Sequence, residues 1–336
     1  MQNFNIKISI ILPIYNVEKY INRCLESIFC QDVPICEFEV IAVNDCSTDN
    51  SRNLLLQWQK RYNNLYIIDH AGNYLPGTAR NTGLKVAKGK YVWFIDADDF
   101  ILCNCFVNVL SFIESNNLDI LSFNYFKQDM DYRYNPDTLN SVVESEVIDG
   151  SLFLEKYYQP LFFSPCSKIF RKKFILKNHF YFSEGVFWED ADIVVKMIYY
   201  SKRIKYIPDH LYYYCFNGLS ISRKNNWKKT ADMIKMGYRK VIFAESISLE
   251  SPTLSIKIIQ DGAWNAGVIK KIIFYTYSER RLFYKEIGTD VRFKMGHLVE
   301  NKMLKIFYYQ RCFTQLILFF LSPLFRIIKK SVNNNI

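Results

Sequence analysis

The stretch PGTARNTGLKVAKGKYVWFIDADD, residues 76–99, indicates the fold of this chain. Its first half has the pattern of a helix over 78–87, and the apolar run Tyr91–Ile95 predicts a strand that is covered on both faces. Directly after that strand, the letters DADD at 96–99 place three carboxylates within four positions. A buried strand that ends in acidic residues is typical of an α/β protein whose ligand site lies beyond the carboxyl ends of parallel strands.

The same alternation of strand and helix extends to both sides of this stretch. Strands are predicted at 8–14, 38–43, 65–68, 119–123, 204–207 and 211–215, and helices at 18–29, 50–62, 104–115 and 190–201. Such alternation predicts βαβ units and a mostly parallel sheet flanked by helices. From 226 onward the pattern is helical. We therefore expect two domains, an α/β domain over 1–222 and a basic helical region over 223–336.

The charge of the chain is concentrated near its end. The net charge is +10, and residues 251–336 carry 14 basic and 5 acidic side chains. Within this region, 312–325 is uncharged and apolar and is followed by Arg326, Lys329 and Lys330. That segment is too short to span a bilayer but suits a helix lying in an anionic lipid interface. A helix that packs on the protein's own core, or on a second subunit in a homodimer, is the alternative.

The amino terminus and the cysteines predict a cytoplasmic location. The run 8–14 lacks the basic flank and cleavage site of a signal peptide. Nine cysteines without a CxxC pair predict neither a zinc cluster nor a disulfide framework, as expected in a reducing compartment.

Polar side chains follow three of the predicted strands. Pro13, Tyr15 and Asn16 come at the end of the first strand, and 44–49 follows the second with the letters NDCSTD. Ser47, Thr48 and Asp49 also suit a helix cap. Capping does not explain the acidic run at 96–99. Its carboxylate oxygens two positions apart suit a divalent cation whose other coordination sites are taken by phosphate. Arg80, near a predicted helix start, is a candidate anion partner.

Five motifs of this chain resemble those of inverting family-2 glycosyltransferases with the GT-A fold. They are ISIILPIYNVEKYINRCLESI (8–28), VNDCSTDNS (43–51), the stretch 76–99, PCSKIFRKKF (165–174) and WEDADIVVKM (188–197). The resemblance covers 6–125 strongly and 160–222 moderately. It is strongest to bacterial enzymes that build surface polysaccharides and lipid-linked oligosaccharides.

The resemblance implies a role for each matching residue of the donor site. Asp45 is expected to accept a hydrogen bond from a uracil N–H, Arg80 to lie near the diphosphate, and Asp96 to lie near the ribose. Asp98, with Asp96, is expected to bind the metal, Mn²⁺ or Mg²⁺. The other residues expected to contact the nucleotide are Pro13, Tyr15, Asn16 and Glu18.

The resemblance also implies the catalytic pair. Asp190 matches the catalytic base of the family, and Glu189 is expected to orient the acceptor, although Asp190 also suits a helix cap. Two positions depart from the family pattern. Cys46 replaces a usual glycine, so the turn must tolerate a side chain. Cys215 stands where an arginine is common, and Lys168 or Arg223 is expected to compensate.

These expectations predict a metal-dependent enzyme. It would transfer a sugar, with inversion, from a UDP-sugar to a saccharide or lipid-linked saccharide at the inner membrane surface. A sugar nucleotidyltransferase would need a glycine-rich basic loop after the first strand, where this chain has PIYN at 13–16. A non-catalytic basic module that docks on membranes rests on the tail alone. Nucleic acid is not expected as a partner, because the aromatic residues of the basic tail suit a lipid interface or a core better than stacked bases, and the acidic strand ends would repel phosphates in the absence of a metal.

Overall fold

A computed structural model describes residues 6–128, 134–137, 144–158, 164–217, 226–266, 269, 271 and 275–298. These residues form two compact units. The first comprises the described residues up to 185 together with 193–217, and the second comprises 186–192 together with those from 226 onward. The segment 312–325, the three basic residues after it and Arg223 lie outside the described residues.

The first unit is built on a nine-stranded mixed sheet. Its strands are β1 (Ile8–Ile14), β2 (Phe38–Asn44), β3 (Leu65–Asp69), β4 (Tyr91–Phe94), β5 (Phe100–Ile101), β6 (Ile120–Gln128), β7 (Tyr134–Asp137), β8 (Lys168–Arg171) and β9 (Ile204–Tyr214). The order across the sheet is β3-β2-β1-β4-β8-β6-β9-β5, and β7 pairs with β6. Strands β3, β2, β1 and β4 are mutually parallel. The predicted α/β class, with a sheet flanked by helices, is confirmed.

The helices of this unit connect the strands, as the alternation predicted. They are α1 (Ile21–Phe29), α2 (Ser51–Gln59), α3 (Leu75–Val86), α4 (Phe106–Ser115), α5 (Gly150–Tyr157), α6 (Lys172–Lys177) and α7 (Asp190–Tyr200), of which the first three residues of α7 group with the second unit. Every residue of β2 and β4 is buried, which explains why neither strand alternates apolar with polar residues. Helix α3 lies close to β1, because a Cβ on Gly83 would stand 2.5 Å from Cγ2 of Ile11.

The second half of the sheet differs from the prediction in two ways. Strand β8 was not predicted, and it pairs antiparallel with both β4 and β6, so it stands between them. The two strands predicted at 204–207 and 211–215 form one strand, β9, whose pairing with β6 shifts register between Phe123 and Tyr125. That irregularity separates the two apolar runs that the sequence displays.

The second unit contains four helices, α8 (Trp227–Ser246), α9 (Pro252–Ala266), α10 (Tyr277–Ile287) and α11 (Thr289–Leu298). A close approach of Gly237 on α8 to Gly262 on α9 leaves no room for a Cβ at either position. The buried ion pair between Lys240 and Asp261, with 2.6 Å between Nζ and Oδ2, also joins these two helices. Across the described part of the chain, no helix combines the length and apolarity needed to cross a membrane.

The structure joins Cys30, which follows α1, to Cys103, which follows β5, in a disulfide. A disulfide framework was not expected, and this single pair was not anticipated. Spacing gave no signal, because 73 residues separate them. The other described cysteines, including Cys24, Cys46 and Cys215, form no disulfide.

Candidate functional site

The candidate donor site lies along the edge where β1, β2, β3 and β4 end. Because these strands are parallel, their carboxyl ends meet at one edge of the sheet. Asn16 follows β1, Asp45 follows β2, and Asp96 follows β4. Pro13 and Tyr15, at the end of β1, are partly buried. The fold thus brings to one edge the polar residues that the sequence predicted there.

The Asp45 carboxylate is held in place by two neighbours. The Tyr74 backbone N–H lies 3.0 Å from both carboxylate oxygens, and His70 Nδ1 lies 2.7 Å from Oδ1. The side chains of Asp45 and His70 are 4% and 10% exposed, so water competes little for these hydrogen bonds. One acceptor position on Oδ2 remains for another donor.

His70 belongs to the site, although the sequence analysis did not select it. It follows β3 directly, and its Nε2 lies 3.0 Å from Oγ1 of Thr82 on α3. The ring therefore connects the end of β2 to α3, and the Tyr74 ring meets it edge-on at 5.4 Å. Its position after a strand end was the available signal, since that was the criterion that selected Asp45 and Asp96.

Asn16 and Glu18 connect the loop after β1 to the loop after β2. Asn16 Oδ1 accepts the Thr48 backbone N–H at 2.8 Å. Glu18 Oε2 accepts the Asn50 N–H at 2.9 Å, and the Glu18 N–H in turn donates to Asp49 Oδ2 at 2.9 Å. Both side chains thus have a structural task at the rim of the site. Their predicted contact with the nucleotide stays a prediction.

Cys46 adopts φ +60°, the left-handed region that favours glycine. This agrees with the expectation that the turn tolerates a side chain where the family usually has glycine. The Cys46 side chain is exposed, so the turn accommodates it without crowding the core.

Arg80 and Asp96 form an ion pair at the end of β4. Arg80 Nη2 lies 2.6 Å from Asp96 Oδ1, and the arginine is 4% exposed whereas the aspartate is 34% exposed. The guanidinium also lies over the Phe182 ring, 5.4 Å from its centre. Arg80 therefore presents a buried positive charge beside the acidic run. This suits its predicted place near a diphosphate.

The other two aspartates of the acidic run have different partners. Asp98 Oδ2 accepts the Asn217 side-chain amide at 2.9 Å. Burial and the Asp96 carboxylate raise the pKa of Asp98, and the Asn217 hydrogen bond opposes that rise. Asp98 keeps Oδ1, and Asp96 keeps Oδ2, for a further ligand.

Asp99 is buried and its carboxylate is used by the fold. It accepts the Tyr212 hydroxyl at 2.5 Å and the Cys215 backbone N–H at 2.7 Å. Burial and the charges of Asp98 and Asp96 hold the pKa of Asp99 well above its ordinary value. Cys215, where the family commonly has arginine, thus contributes its backbone to this network.

Lys168, the first residue of β8, is fully buried. Its Nζ donates to the Ser164 carbonyl at 3.1 Å and to the Ser167 hydroxyl at 3.2 Å. These contacts stabilise the turn before β8. The predicted contact of Lys168 with the donor stays a prediction.

The candidate catalytic pair lies in the segment 186–192, which groups with the second unit. Glu189 is buried, Asp190 is partly buried, and α7 begins at Asp190. Trp188, just before the pair, has φ +64°, which is rare for a bulky residue and marks a strained turn. The predicted domain boundary at 222/223 did not anticipate this grouping.

The donor set of Asp96 and Asp98 fits a divalent cation. Two carboxylates that each keep one oxygen supply the hard ligands that Mg²⁺ and Mn²⁺ prefer, and a diphosphate would complete the coordination. Among the described residues, no group of three or more histidine, cysteine, aspartate or glutamate side chains is arranged so that it could hold a metal ion by itself.

Comparison with known proteins shows the family and the fold of the chain. The model of the family described as "Glycosyl transferase family 2" matches residues 9–178. A poly(ribitol-phosphate) beta-glucosyltransferase of Bacillus spizizenii is 30% identical over 217 residues, which are 62% of this chain and 32% of that protein. The poly(ribitol-phosphate) beta-N-acetylglucosaminyltransferase TarS of Staphylococcus aureus is 32% identical over 209 residues, 62% of this chain and 35% of TarS. The chain thus spans about a third of the length of these relatives.

Solved structures extend the likeness beyond the matched region. A crystal structure of a TarS fragment superposes with a TM-score of 0.67 at 25% identity and covers 91% of this chain and 87% of the fragment. The same fragment was solved with UDP-GlcNAc, with a TM-score of 0.61 and the same coverage. A mannosyltransferase of Pyrobaculum calidifontis, solved with GDP-Man and Mn²⁺, has a TM-score of 0.55 at 17% identity, covers 94% of this chain and 88% of its own, and shows the fold alone.

Proposed function

The chain belongs to glycosyl transferase family 2, and from that premise we propose that it transfers a sugar from a UDP-sugar to a hydroxyl of a surface polymer. The observation that supports this most is the edge of the sheet where Asp45, Arg80, Asp96 and Asp98 converge inside the matched region. At one end of that edge, Asp45 offers a buried acceptor for a base N–H. At the other end, Arg80 offers a positive charge for a diphosphate, and Asp96 and Asp98 offer carboxylates for a metal ion. A nucleotide-sugar carries the matching groups, a base and a diphosphate.

The donor is proposed to be UDP-GlcNAc or UDP-glucose. TarS was solved with UDP-GlcNAc, and the Bacillus relative is described as a glucosyltransferase. The two sugars differ in the substituent at one carbon, so both belong in a donor test. The acceptor is proposed to be a polyol-phosphate or saccharide polymer, by analogy with the same relatives.

Asp190 is proposed to act as the general base. A sugar hydroxyl is a weak nucleophile near neutral pH, and a carboxylate that takes its proton during attack is typically worth about 10²–10⁴-fold in rate. A single base on the face opposite the leaving group gives one displacement with inversion. Glu189 would orient the acceptor, and Arg80 would hold the diphosphate that departs.

We propose that Asp98 and Asp96 hold Mn²⁺ or Mg²⁺. When bound, the cation neutralises charge that builds on the leaving diphosphate. The role of Asn217 in this arrangement is to fix the Asp98 carboxylate, and that of Arg80 is to offset the charge of Asp96.

The basic region after residue 250 is proposed to bring the enzyme to the inner face of the membrane. Six basic and no acidic residues in the last 36 suit anionic headgroups. This places the donor site near an acceptor that grows on a lipid.

The test is a panel of nucleotide-sugars with Mn²⁺, scored for UDP release with and without polyribitol phosphate as acceptor. We expect release from one UDP-sugar, dependent on the polymer and lost on chelation. Asp98→Asn should reduce release at least a hundredfold. Asp119→Asn is the matched control, because Asp119 precedes β6 at the opposite edge of the sheet and pairs with Arg171.

If no UDP-sugar binds with or without metal, as measured by calorimetry, the proposed function is wrong. Incorporation of a nucleotidyl group into a sugar phosphate would instead favour a nucleotidyltransferase.

A further inference from the structure

The turn before the candidate base is anchored by a helix of the second unit. The Phe187 backbone N–H donates to Asp232 Oδ2 at 3.1 Å. Asp232 lies on α8 and is fully buried. Phe187 and Asp232 both belong to the second unit, although 45 residues separate them in sequence.

Neighbouring lysines offset the charge of Asp232, although Lys235 is shared with Glu286. Lys228 Nζ lies 3.0 Å from Oδ2, and Lys235 Nζ lies 3.8 Å from Oδ1. The Lys228 and Lys229 ammonium groups also lie over the Phe187 ring, 5.8 Å and 5.3 Å from its centre. A buried carboxylate needs such partners, and one that accepts a backbone N–H fixes that backbone strongly.

The anchored backbone is also the strained one. Trp188 follows Phe187 at φ +64°, and its carbonyl accepts the Ala191 N–H at 3.1 Å in the first turn of α7. A bulky residue remains in that region only when its surroundings hold it there. Asp232 fixes the turn on one side of Trp188, and α7 fixes it on the other.

We propose that Asp232 is a positioning residue for Glu189 and Asp190, acting through Phe187 and the turn at Trp188. The inference rests on the proposed function, since it takes Asp190 as the base. It assigns the helical region a part in sugar transfer in addition to membrane contact. A base displaced by about 1 Å can cost on the order of a hundredfold in rate, so holding this turn matters for the reaction.

The experiment compares three full-length variants. Asp232→Leu removes the acceptor for the Phe187 N–H, and Asp232→Asn keeps an oxygen acceptor while removing the charge. Asp261→Asn is the matched control, because it breaks another buried ion pair of the same helix, with Lys240, away from residues 186–192. Thermal unfolding establishes that each variant is folded.

Hydrogen exchange read by mass spectrometry over 186–192 is the first measurement. We expect exchange at Phe187 to rise at least about tenfold in Asp232→Leu, less in Asp232→Asn, and not at all in Asp261→Asn. Unchanged exchange in folded Asp232→Leu would overturn the proposal. This readout needs no substrate.

Steady-state transfer from UDP-GlcNAc to polyribitol phosphate is the second measurement. We expect kcat to fall at least tenfold in Asp232→Leu, with partial rescue in Asp232→Asn and unchanged UDP affinity in both. Faster exchange with an unchanged kcat would show that Asp232 is structural only. If Asp190→Asn retains full activity, the proposed base is wrong, whereas the exchange result still decides whether Asp232 holds the turn.

Discussion

Replacing His70 with phenylalanine tests how the site recognises the base of the donor. The phenyl ring keeps the shape of the imidazole but removes both nitrogen contacts, to Asp45 at 2.7 Å and to Thr82 at 3.0 Å. Asp45 keeps the Tyr74 N–H and loses the partner that fixes its orientation. His210→Phe is the matched control, because that ring stacks on Phe126, 4.4 Å away, along β9.

The expected magnitude follows from the burial of the pair. A hydrogen bond to a charged group contributes about 1.5–3 kcal/mol. The Asp45 and His70 side chains are only 4% and 10% exposed, so water weakens their hydrogen bond little and the full range applies. His70→Phe should therefore lower the free energy of unfolding by about 1.5–3 kcal/mol. Loss of a base contact of the same size corresponds to a roughly ten- to hundredfold weaker Kd for UDP. Because Tyr74 still holds Asp45, His70→Phe should weaken UDP binding by less than this ten- to hundredfold loss.

Asp45→Asn should weaken UDP binding by the full ten- to hundredfold, because it removes the acceptor for the base. The Tyr74 and His70 donors would turn the amide oxygen towards themselves and leave its NH₂ facing the N–H of the base. Calorimetry with UDP measures both variants, and thermal unfolding measures stability. If folded His70→Phe binds UDP as the wild type does while Asp45→Asn does not, His70 has only a structural role. If neither variant weakens UDP binding, Asp45 does not contact the base.

Three further predictions concern the fold and the tail. Gly83→Ala should lower the free energy of unfolding in urea by about 1–3 kcal/mol, because its Cβ would meet Cγ2 of Ile11 at 2.5 Å, whereas Gly72→Ala, with no atom nearer than 3.5 Å, should cost less. Burial disfavours the charged form of Asp149, but hydrogen bonds from Ser151 and the Lys202 ammonium, 3.0 Å from Oδ2, outweigh this and lower its pKa. Asp149→Ala should therefore cost about 1 kcal/mol at pH 7, and its deficit against the wild type should shrink as the pH falls below about 4, through the folded pKa, because protonation removes the part of the stabilisation that depends on charge; a deficit as large at pH 2 as at pH 7 would contradict this. Removing residues 311–336 should reduce cosedimentation with anionic liposomes and leave UDP affinity unchanged, and unchanged cosedimentation would exclude this segment as the membrane contact.

The strands that were predicted well from the sequence are the buried strands of the parallel half of the sheet, whose apolar runs are visible locally. The runs that became β1, β2 and β4 are mostly apolar on both faces, with Ser9, Glu39 and Asn44 as the polar exceptions, because both faces of that half of the sheet are covered. The four residues of β8 include two basic side chains, and their pairing partners lie more than 45 residues away along the chain. No local pattern reports such a strand, so its place between β4 and β6 emerged only from the fold.

The candidate site shows the same division. Asp45, Arg80, Asp96 and Asp98 could be selected because strand ends and charge are visible in sequence. Asn217 and Tyr212 could not, because their roles depend on side-chain partners 119 and 113 residues away along the chain. His70 carried the signal of its position directly after a strand, but it was not selected. The three aspartates at 96–99 look alike in the sequence, but Asp99 has a structural role: its carboxylate accepts the Tyr212 hydroxyl and the Cys215 backbone N–H. Burial distinguishes it from its neighbours, and burial is a tertiary property.

The position of β8 has a consequence for synthesis on the ribosome. Strands β1 to β4 are complete once residue 94 has emerged, but β4 gains its outer neighbour only when residues 168–171 follow. At a typical rate of about 5–20 residues per second, the apolar edge of β4 stays unpaired for several seconds. During that interval the nascent chain presents a template for edge-to-edge association with other chains.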